Sequence, residues 1–265
     1  MTTEIPLPLF YEAPELLSLT AHGDWRLRDG DTAFAAKTAF VPIVASEIAA
    51  AACTYPVVFA HGDAQPIVIT GVEQENLFVT AGRWAEDAYV PAYVRRYPFG
   101  FIATVNPEGY ALAIDTASPR LVREGEDGVA LFENGEPTAL TRQALTFCDA
   151  FQADAATTRA FTDALREHDL LIDQRAEVVL PDGAHRAVEG FQIVDADRFA
   201  KLEDAVVLDW HRRGWLALVH FHLASLQRFH SLLLRRAGRQ VDAVSALSQS
   251  DAKAPEIEEL IAEKA

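Results

Sequence analysis

The chain has few cysteines and no long uninterrupted apolar run. Its two cysteines, Cys53 and Cys148, form no CxxC pair, so neither a zinc site nor a redox pair is indicated, and we expect two buried thiols. No uncharged stretch reaches the roughly 18 residues that a membrane span needs. The longest low-charge run, residues 48–60, is interrupted by Thr54 and Pro56, so no membrane span is expected.

Basic residues are scarce: 23 Lys and Arg face 39 Asp and Glu, giving a formal net charge of -16. Nucleic-acid affinity rests mainly on cations that neutralise phosphates, so a general DNA or RNA binder is not expected. Adjacent Arg95 and Arg96, and a late group of arginines, still allow local basic pockets. The late group comprises Arg228, Arg235, Arg236 and Arg239.

Signals for export and for common catalytic chemistry are missing. Glu4, Pro6 and Pro8 fall where a secretory signal would be apolar, so we expect a cytoplasmic protein. A Gly-x-Ser-x-Gly elbow, a Walker A loop and a Gly-x-Gly-x-x-Gly fingerprint are all lacking. No cofactor is therefore indicated, and whether the protein is an enzyme stays open.

Short β-branched and aromatic runs between turn-forming residues predict strands over much of residues 33–194. The clearest runs are residues 56–60, 66–72, 77–80, 100–105 and 111–114. A hairpin is predicted where residues 177–180 and 191–194 flank Pro-Asp-Gly at 181–183. With the helices described next, this pattern predicts an α+β fold with a mixed, mostly antiparallel sheet.

Helical periodicity marks three regions. Residues 46–53 predict a short helix capped by Ser46, and residues 138–168 predict two helices with Thr138 and Asp154 as N-caps. A long C-terminal helical segment is predicted from residue 203 to 236, interrupted at Gly214. Its apolar stripe is formed by Val219, His222, Leu226, Phe229 and Leu233. We expect one domain over residues 1–238 and an acidic, flexible or loosely helical tail over 239–265.

Aromatic residues, prolines and paired arginines are concentrated between residues 76 and 99. An arginine beside a Tyr or Trp ring can stack on it and still offer a planar fork to a carboxylate or phosphate. On a strand, adjacent arginines point to opposite faces, so one could be structural while the other faces a ligand. The candidate ligand-binding residues are Trp84, Tyr93, Arg95, Arg96 and Tyr97.

The alternative interpretation of this segment is purely structural. In it, Arg95 or Arg96 forms an internal salt bridge that clips a loop to the sheet. The carboxylates considered as partners are Glu47, Glu73, Glu75 and Asp115.

Histidines do not predict a metal site. His211, His220, His222 and His230 lie close together in the sequence, but no two are three or four residues apart, as neighbours on one helix face would be. His222 falls on the apolar stripe and is expected to be a hydrogen-bonded core residue.

Six short motifs follow one another between residues 40 and 99: FVPIVASE at 40–47, YPVVF at 55–59, ENLF at 75–78, GRW at 82–84, YVPAY at 89–93 and RRYPF at 95–99. In order and spacing they resemble the SapC family. Weaker similarity extends the resemblance to about residues 7–236. It implies a bacterial accessory protein, since members of the family often accompany TonB-dependent receptors, halogenase-like proteins and cupin-like hydroxylases.

Three hypotheses follow. The first is a non-enzymatic accessory or binding protein that holds a small molecule or peptide through its acidic group. The second is a metal-dependent, oxygenase-like enzyme whose ligands are distant in sequence: His61, His220, His222 and Asp115. The third is an interaction scaffold, in which the helix over residues 214–236 buries its stripe against a partner protein or a second copy.

Overall fold

The computed structural model describes residues 7–71, 74–105, 108–125, 127–179 and 185–251, and the structural statements below concern those residues. The strands are β1 (Pro14–Leu16), β2 (Arg26–Leu27), β3 (Phe40–Pro42), β4 (Val57–Ala60), β5 (Pro66–Ile69), β6 (Val79–Thr80), β7 (Arg83–Trp84), β8 (Phe99–Val105), β9 (Glu108–Asp115), β10 (Leu121–Val122), β11 (Val129–Ala130), β12 (Phe132–Glu133), β13 (Glu136–Pro137), β14 (Leu171–Val179) and β15 (His185–Val194). The α-helices are α1 (Leu19–His22), α2 (Ile48–Ala52), α3 (Ala92–Arg95), α4 (Ala139–Glu167), α5 (Ala196–Phe199), α6 (Asp204–Arg213), α7 (Trp215–Ser225) and α8 (Arg228–Asp251). The predicted α+β class is confirmed.

The main sheet has five strands in the order β14-β15-β4-β5-β3, and each neighbouring pair is antiparallel. Its central strands β4 and β5 consist largely of Val, Ile and Phe, which favour a pleated, buried surface. Val57 pairs with Val68 across the two strands, and both are fully buried. Helix α7 packs against β4 and β15, and α2 packs against α7, so the main core lies between sheet and helices.

A second, smaller core lies beside the first. Strands β1, β9 and β8 form one three-stranded sheet, and β10, β2 and β11 form another. The buried residues of this core are Leu27, Phe99, Ile114, Leu131 and Cys148. Because Cys148 belongs to α4 while Phe161 of the same helix belongs to the main core, α4 spans both cores.

Helix α4 is a single helix of 29 residues, so the prediction of two helices is wrong. Thr138 does occupy the N-cap position, but Asp154 lies in the helix interior. The Asp154 carboxylate accepts a hydrogen bond from the Ser46 hydroxyl at 2.7 Å instead of capping a new helix. No proline or glycine interrupts α4, so nothing in its backbone ends the helix early.

The C-terminal helical segment is divided more than the sequence predicts. Gly214, with a φ of 75°, separates α6 from α7, and a second break before Arg228 separates α7 from α8. The predicted tail begins within α8, and residues 252–265 lie outside the described residues. In the part of the chain that is described, no helix combines the length and apolarity needed to traverse a lipid bilayer.

The apolar stripe of this segment packs on the protein's own core. Val219 and His222 are fully buried, and the Phe229 ring stacks on Phe191 of β15 with centroids 5.7 Å apart. Leu226 also packs against this core, so most of the stripe serves the chain's own interior, and binding of a partner protein or a second copy through this segment stays a prediction.

Candidate functional site

The paired arginines lie on a helical turn, not on the predicted strand. Pro91, with a φ of -57°, precedes α3, and the Ala92 N–H donates to a Glu47 carboxylate oxygen at 2.6 Å. A proline preorganised in φ and an acceptor for a free N–H both favour a helix start. Since successive helical residues are rotated by about 100°, Arg95 and Arg96 need not point to opposite faces. Both side chains line the same cavity.

Arg96 is held between aromatic rings. Its guanidinium carbon lies 4.1 Å from the ring centroid of Tyr93 and 4.5 Å from that of Phe151, with Tyr11 at 5.7 Å. Stacking of this kind fixes the guanidinium plane while leaving its edge available for hydrogen bonds. Within the described part of the chain, the Arg96 Nε atom is buried and has no hydrogen-bond partner.

Arg95 occupies the exposed side of the same cavity. Its Nε group donates to the Val90 carbonyl at 3.1 Å, and its guanidinium lies 5.3 Å from the ring centroid of Phe147 on α4. The side chain therefore bridges from α3 to α4 across the cavity.

Arg120 supplies a third guanidinium from the loop between β9 and β10. It donates to the Tyr97 carbonyl at 3.0 Å and to the Arg28 carbonyl at 3.3 Å. Partial burial lowers the pKa of Arg120, but an arginine stays charged at neutral pH. A Cβ atom at Gly30 would lie only 2.5 Å from the Arg120 side chain, so glycine at this position leaves room for the arginine to cross.

These three arginines line a cavity of about 240 Å³, which we call the arginine cleft. Its apolar lining comprises Leu27, Phe99, Leu140, Ala144, Phe147 and Cys148. Tyr97 and Gln143 complete the lining. Among the described residues, no aspartate or glutamate lines the cleft, although the chain carries a net charge of -16.

The structure brings together three of the five candidate residues in this cleft: Arg95, Arg96 and Tyr97. Tyr93 lies behind Arg96 as a stacking partner, and its hydroxyl donates to the Leu9 carbonyl at 3.2 Å. Trp84 lies apart from the cleft in the main core, where its indole N–H donates to the Tyr55 hydroxyl at 3.0 Å.

The lining groups that could transfer protons are held neutral. Burial raises the pKa of the Cys148 thiol to about 11, although the nearby Arg96 charge opposes the rise. Burial likewise raises the pKa of Tyr97 to about 12, and its hydroxyl donates to Asp115 at 2.9 Å. The expectation that both cysteines are buried is correct for Cys148 but wrong for Cys53, which is exposed at the end of α2.

The predicted internal salt bridges are wrong for the partners that the structure describes. Glu47 is buried and accepts from the Val44 N–H at 3.0 Å and from the Tyr89 hydroxyl at 2.8 Å, in addition to Ala92. No guanidinium pairs with it directly among the described residues. Its role is to fix the loop that precedes α3.

The two other described carboxylates also have different partners. Asp115, fully buried, accepts from the Ala13 N–H at 2.7 Å and from Tyr97. Glu75 pairs with Arg236 and with Arg239 of α8. The remaining carboxylate considered as a partner, at position 73, lies outside the described residues.

The comparison with protein families decides the kinship of the chain. A family model described as SapC matches residues 17–232, which is most of the chain. The chain belongs to the SapC family. Searches of curated proteins and of solved structures gave no significant match.

Residues of the SapC motifs have two different roles in the structure. Glu47, Tyr89 and Ala92 form the hydrogen-bonded support of α3, whereas Arg95 and Arg96 line the cleft itself. Tyr97 and Phe99, which line the cleft, and Tyr93, which stacks on Arg96, also belong to these motifs, whereas Arg120, Phe147 and Phe151 lie outside them and were missed. Helical periodicity assigns Phe147 and Phe151 only to a helix, and the position of Arg120 depends on the packing of its loop, which no sequence pattern predicts.

The four histidine and aspartate side chains considered as metal ligands do not meet. His222 uses both ring nitrogens: Nε2 accepts from the Val194 N–H at 3.0 Å and Nδ1 lies 2.8 Å from the Val57 carbonyl. His61 is exposed, 3.6 Å from Asp173, and Asp115 binds backbone near the N-terminus. Among the described residues no group of three or more His, Cys, Asp or Glu could hold a metal, so this ligand set is wrong.

We expect His222 to make the stability of this SapC protein depend on pH. Burial lowers the pKa of His222 from 6.5 to about 4. As the pH falls, this side chain therefore takes up a proton at a higher pH in the unfolded chain than in the folded chain. The free energy of unfolding therefore keeps its full contribution from His222 above the unfolded pKa. It decreases by about 3 kcal/mol as the pH falls from the unfolded pKa to the folded pKa. Urea unfolding at several pH values measures the effect.

His222→Gln is the control, because glutamine does not titrate. Its overall stability is lower, but the decrease contributed by His222 between neutral and acid pH is absent. Parallel pH dependence in the two proteins would contradict the assignment.

Proposed function

We propose that this SapC-family protein is a non-enzymatic accessory or binding protein that holds a small molecule or peptide through an acidic group in the arginine cleft. One observation carries the proposal: three guanidiniums line one cavity whose described lining contains no carboxylate. Planar guanidinium forks match the geometry of carboxylate and phosphate oxygens.

The electrostatic environment of the cleft supports an anionic ligand. Like charges brought together repel, and partial burial weakens the screening of that repulsion by water. Carboxylates in this chain are plentiful, yet none of them neutralises the cleft among the described residues. The buried carboxylates Glu47 and Asp115, which contact Ala92 and Tyr97, accept hydrogen bonds from backbone and tyrosine groups instead. A bound anion would offset the repulsion among the arginines.

The chemistry of the lining supports binding over catalysis. A general acid or base must exchange a proton near the working pH. Arginine does not lose its proton, and the raised pKa values of Cys148 and Tyr97 keep both groups protonated at neutral pH. The described lining therefore offers positioning and charge, not proton transfer.

The proposal is tested by thermal denaturation with a panel of organic acids and inorganic phosphate at constant ionic strength. A ligand that binds only the folded protein raises Tm in a saturable manner. We expect at least one acid to do so with the wild type. Gly30→Ala, which forces Arg120 aside, should require about tenfold more of that acid, the effect of about 1.4 kcal/mol of lost interaction.

Gly238→Ala is the matched control, because a Cβ atom there meets nothing within 4 Å. It should respond to the acid as the wild type does. Equal, non-saturating responses of all three proteins to every acid would show that only general ionic effects operate, and the proposal would be abandoned.

A further inference from the structure

The arginine cleft is lined by two chemically different sets of residues. Besides the three arginines, the lining includes Leu27, Phe99 and Cys148, which are 7%, 5% and 3% exposed. These three residues belong to the second core, so this part of the lining is packed interior. Leu140 and Ala144 of α4 are half-buried, pack against the same core and complete the apolar lining there.

Few neutral polar groups are available in the cleft. Gln143 contributes the one side-chain amide of the described lining, and the Tyr97 hydroxyl is already bonded to Asp115. A sugar phosphate or a nucleotide would place several hydroxyl or amide groups against leucine, phenylalanine and alanine. Burying such groups without hydrogen bonds costs free energy, so a polar body is disfavoured.

The size of the cavity restricts the ligand further. At about 240 Å³ it is smaller than the cavities of about 300–1,000 Å³ that hold drug-sized ligands. On its exposed side, Arg95 lies over the Phe147 ring, which forms a stacked cation–aromatic edge. A flat apolar group would extend this stack.

We propose that the ligand is a compact amphipathic organic acid, whose acidic group binds Arg95, Arg96 and Arg120 while its apolar body packs on Leu27, Phe99 and Ala144. This inference rests on the proposed function and names the ligand class of the same site. It requires that the affinity come from both the arginines and the apolar lining of the cleft, so neither an anion alone nor an apolar body alone binds well.

Isothermal titration of the wild type with four probes tests the inference. 3-Phenylpropionate carries both features, acetate and inorganic phosphate carry only the charge, and 3-phenylpropanamide carries only the apolar body. Burial of a phenyl ring contributes about 1.5–3 kcal/mol, so 3-phenylpropionate should bind at least about tenfold more tightly than acetate or phosphate. The amide should bind at least about tenfold more weakly than the acid, because it lacks the charge.

The outcomes separate this inference from the function on which it rests. Acetate or phosphate binding as tightly as 3-phenylpropionate overturns the amphipathic ligand but leaves an anion-binding cleft. Equal binding of acid and amide, or binding of none of the four probes, overturns both. These comparisons use the wild type and do not depend on the folding of a variant.

A substitution in the apolar lining then locates the site. Ala144→Leu fills the cleft from α4 and should weaken 3-phenylpropionate binding by about tenfold or more, the effect of losing the contacts of a few methylene groups. Ala160→Leu makes the same change on an exposed part of α4 and should leave the affinity unaltered. Unaltered affinity in a folded Ala144→Leu protein would overturn the placement of the apolar body.

Discussion

Arg96→Gln is expected to lower the affinity for an acidic ligand between about tenfold and a hundredfold. Hydrogen bonds between charged groups contribute about 1.5–3 kcal/mol each, and glutamine keeps a polar end but loses the charge and the fork. Arg96 lines the cleft, and the rings of Tyr93 and Phe151 fix its guanidinium. A preorganised donor loses little entropy on binding, so its removal is costly.

Two further variants, Arg96→Lys and Arg159→Gln, show whether the loss of affinity in Arg96→Gln comes from the planar guanidinium or from the change of net charge. Lysine keeps a charge but cannot stack as a plane or bind with two parallel N–H groups, so an intermediate loss of affinity is expected. Arg159 is exposed on α4, and its substitution makes the same change of net charge as Arg96→Gln. Titration calorimetry of folded variants measures the three affinities. If Arg96→Gln and Arg159→Gln weaken binding equally, the effect is one of net charge and the role of Arg96 is refuted.

Glu47→Gln is expected to reduce the free energy of unfolding by about 2–4 kcal/mol. The Glu47 carboxylate is buried and accepts hydrogen bonds from Val44, Tyr89 and Ala92. Glutamine replaces one of the two oxygens by an NH2 group, which faces an N–H or O–H donor and cannot accept its hydrogen bond. A buried donor left without an acceptor costs about 1–3 kcal/mol, and the charge-assisted hydrogen bond is lost as well. Urea unfolding measures the change.

The same substitution should also weaken ligand binding, although Glu47 does not line the cleft. Ala92 begins α3, and α3 carries Arg95 and leads into Arg96, so a loosened α3 no longer holds the guanidiniums in place. Glu167→Gln, at the exposed end of α4, should change the stability by no more than about 0.5 kcal/mol. A loss below about 1 kcal/mol for Glu47→Gln would mean that this carboxylate does not hold the loop.

Local sequence patterns predicted those elements whose structure is decided locally. The Val- and Ile-rich runs of β4 and β5 and parts of the hairpin strands β14 and β15 were predicted, because alternation and β-branched composition follow from burial in a sheet. The predicted turn at 181–183 lies outside the described residues. The start of α5 is also decided locally, because the Asp195 side chain accepts hydrogen bonds from two N–H groups of the first turn. Asp154 shows the limit, since the same residue type in a helix interior bonds to Ser46 across the fold.

The candidate site could be predicted only in part. The density of aromatic residues around Arg95 and Arg96 marked the segment, and the structure places both arginines in one cleft. The partners of these arginines depend on tertiary packing. Phe151 and Arg120 are distant in sequence from this segment. Phe151 reaches Arg96 because α4 crosses α3 and β8, and Arg120 reaches Tyr97 because of the course of the loop after β9.

The expected salt bridges failed for a related reason. Opposite charges near one another in sequence suggest pairing, but burying an ion pair carries a desolvation cost. Glu47 and Asp115 are satisfied by backbone N–H and tyrosine hydroxyl groups, which hold a carboxylate without a cation. Arg95 and Arg96 instead contact aromatic rings, and Arg95 also donates to a backbone carbonyl, so no carboxylate of the described residues pairs with either guanidinium.

Proton–nitrogen NMR of the arginine Nε–Hε groups, recorded while 3-phenylpropionate is added, observes the arginine cleft directly. Arginine-to-lysine variants assign the resonances. We expect those of Arg95, Arg96 and Arg120 to move along one saturation curve while those of the exposed Arg159 and Arg213 stay in place. If the three cleft resonances do not move, or if the arginines that respond lie elsewhere, an acid-binding arginine cleft is contradicted.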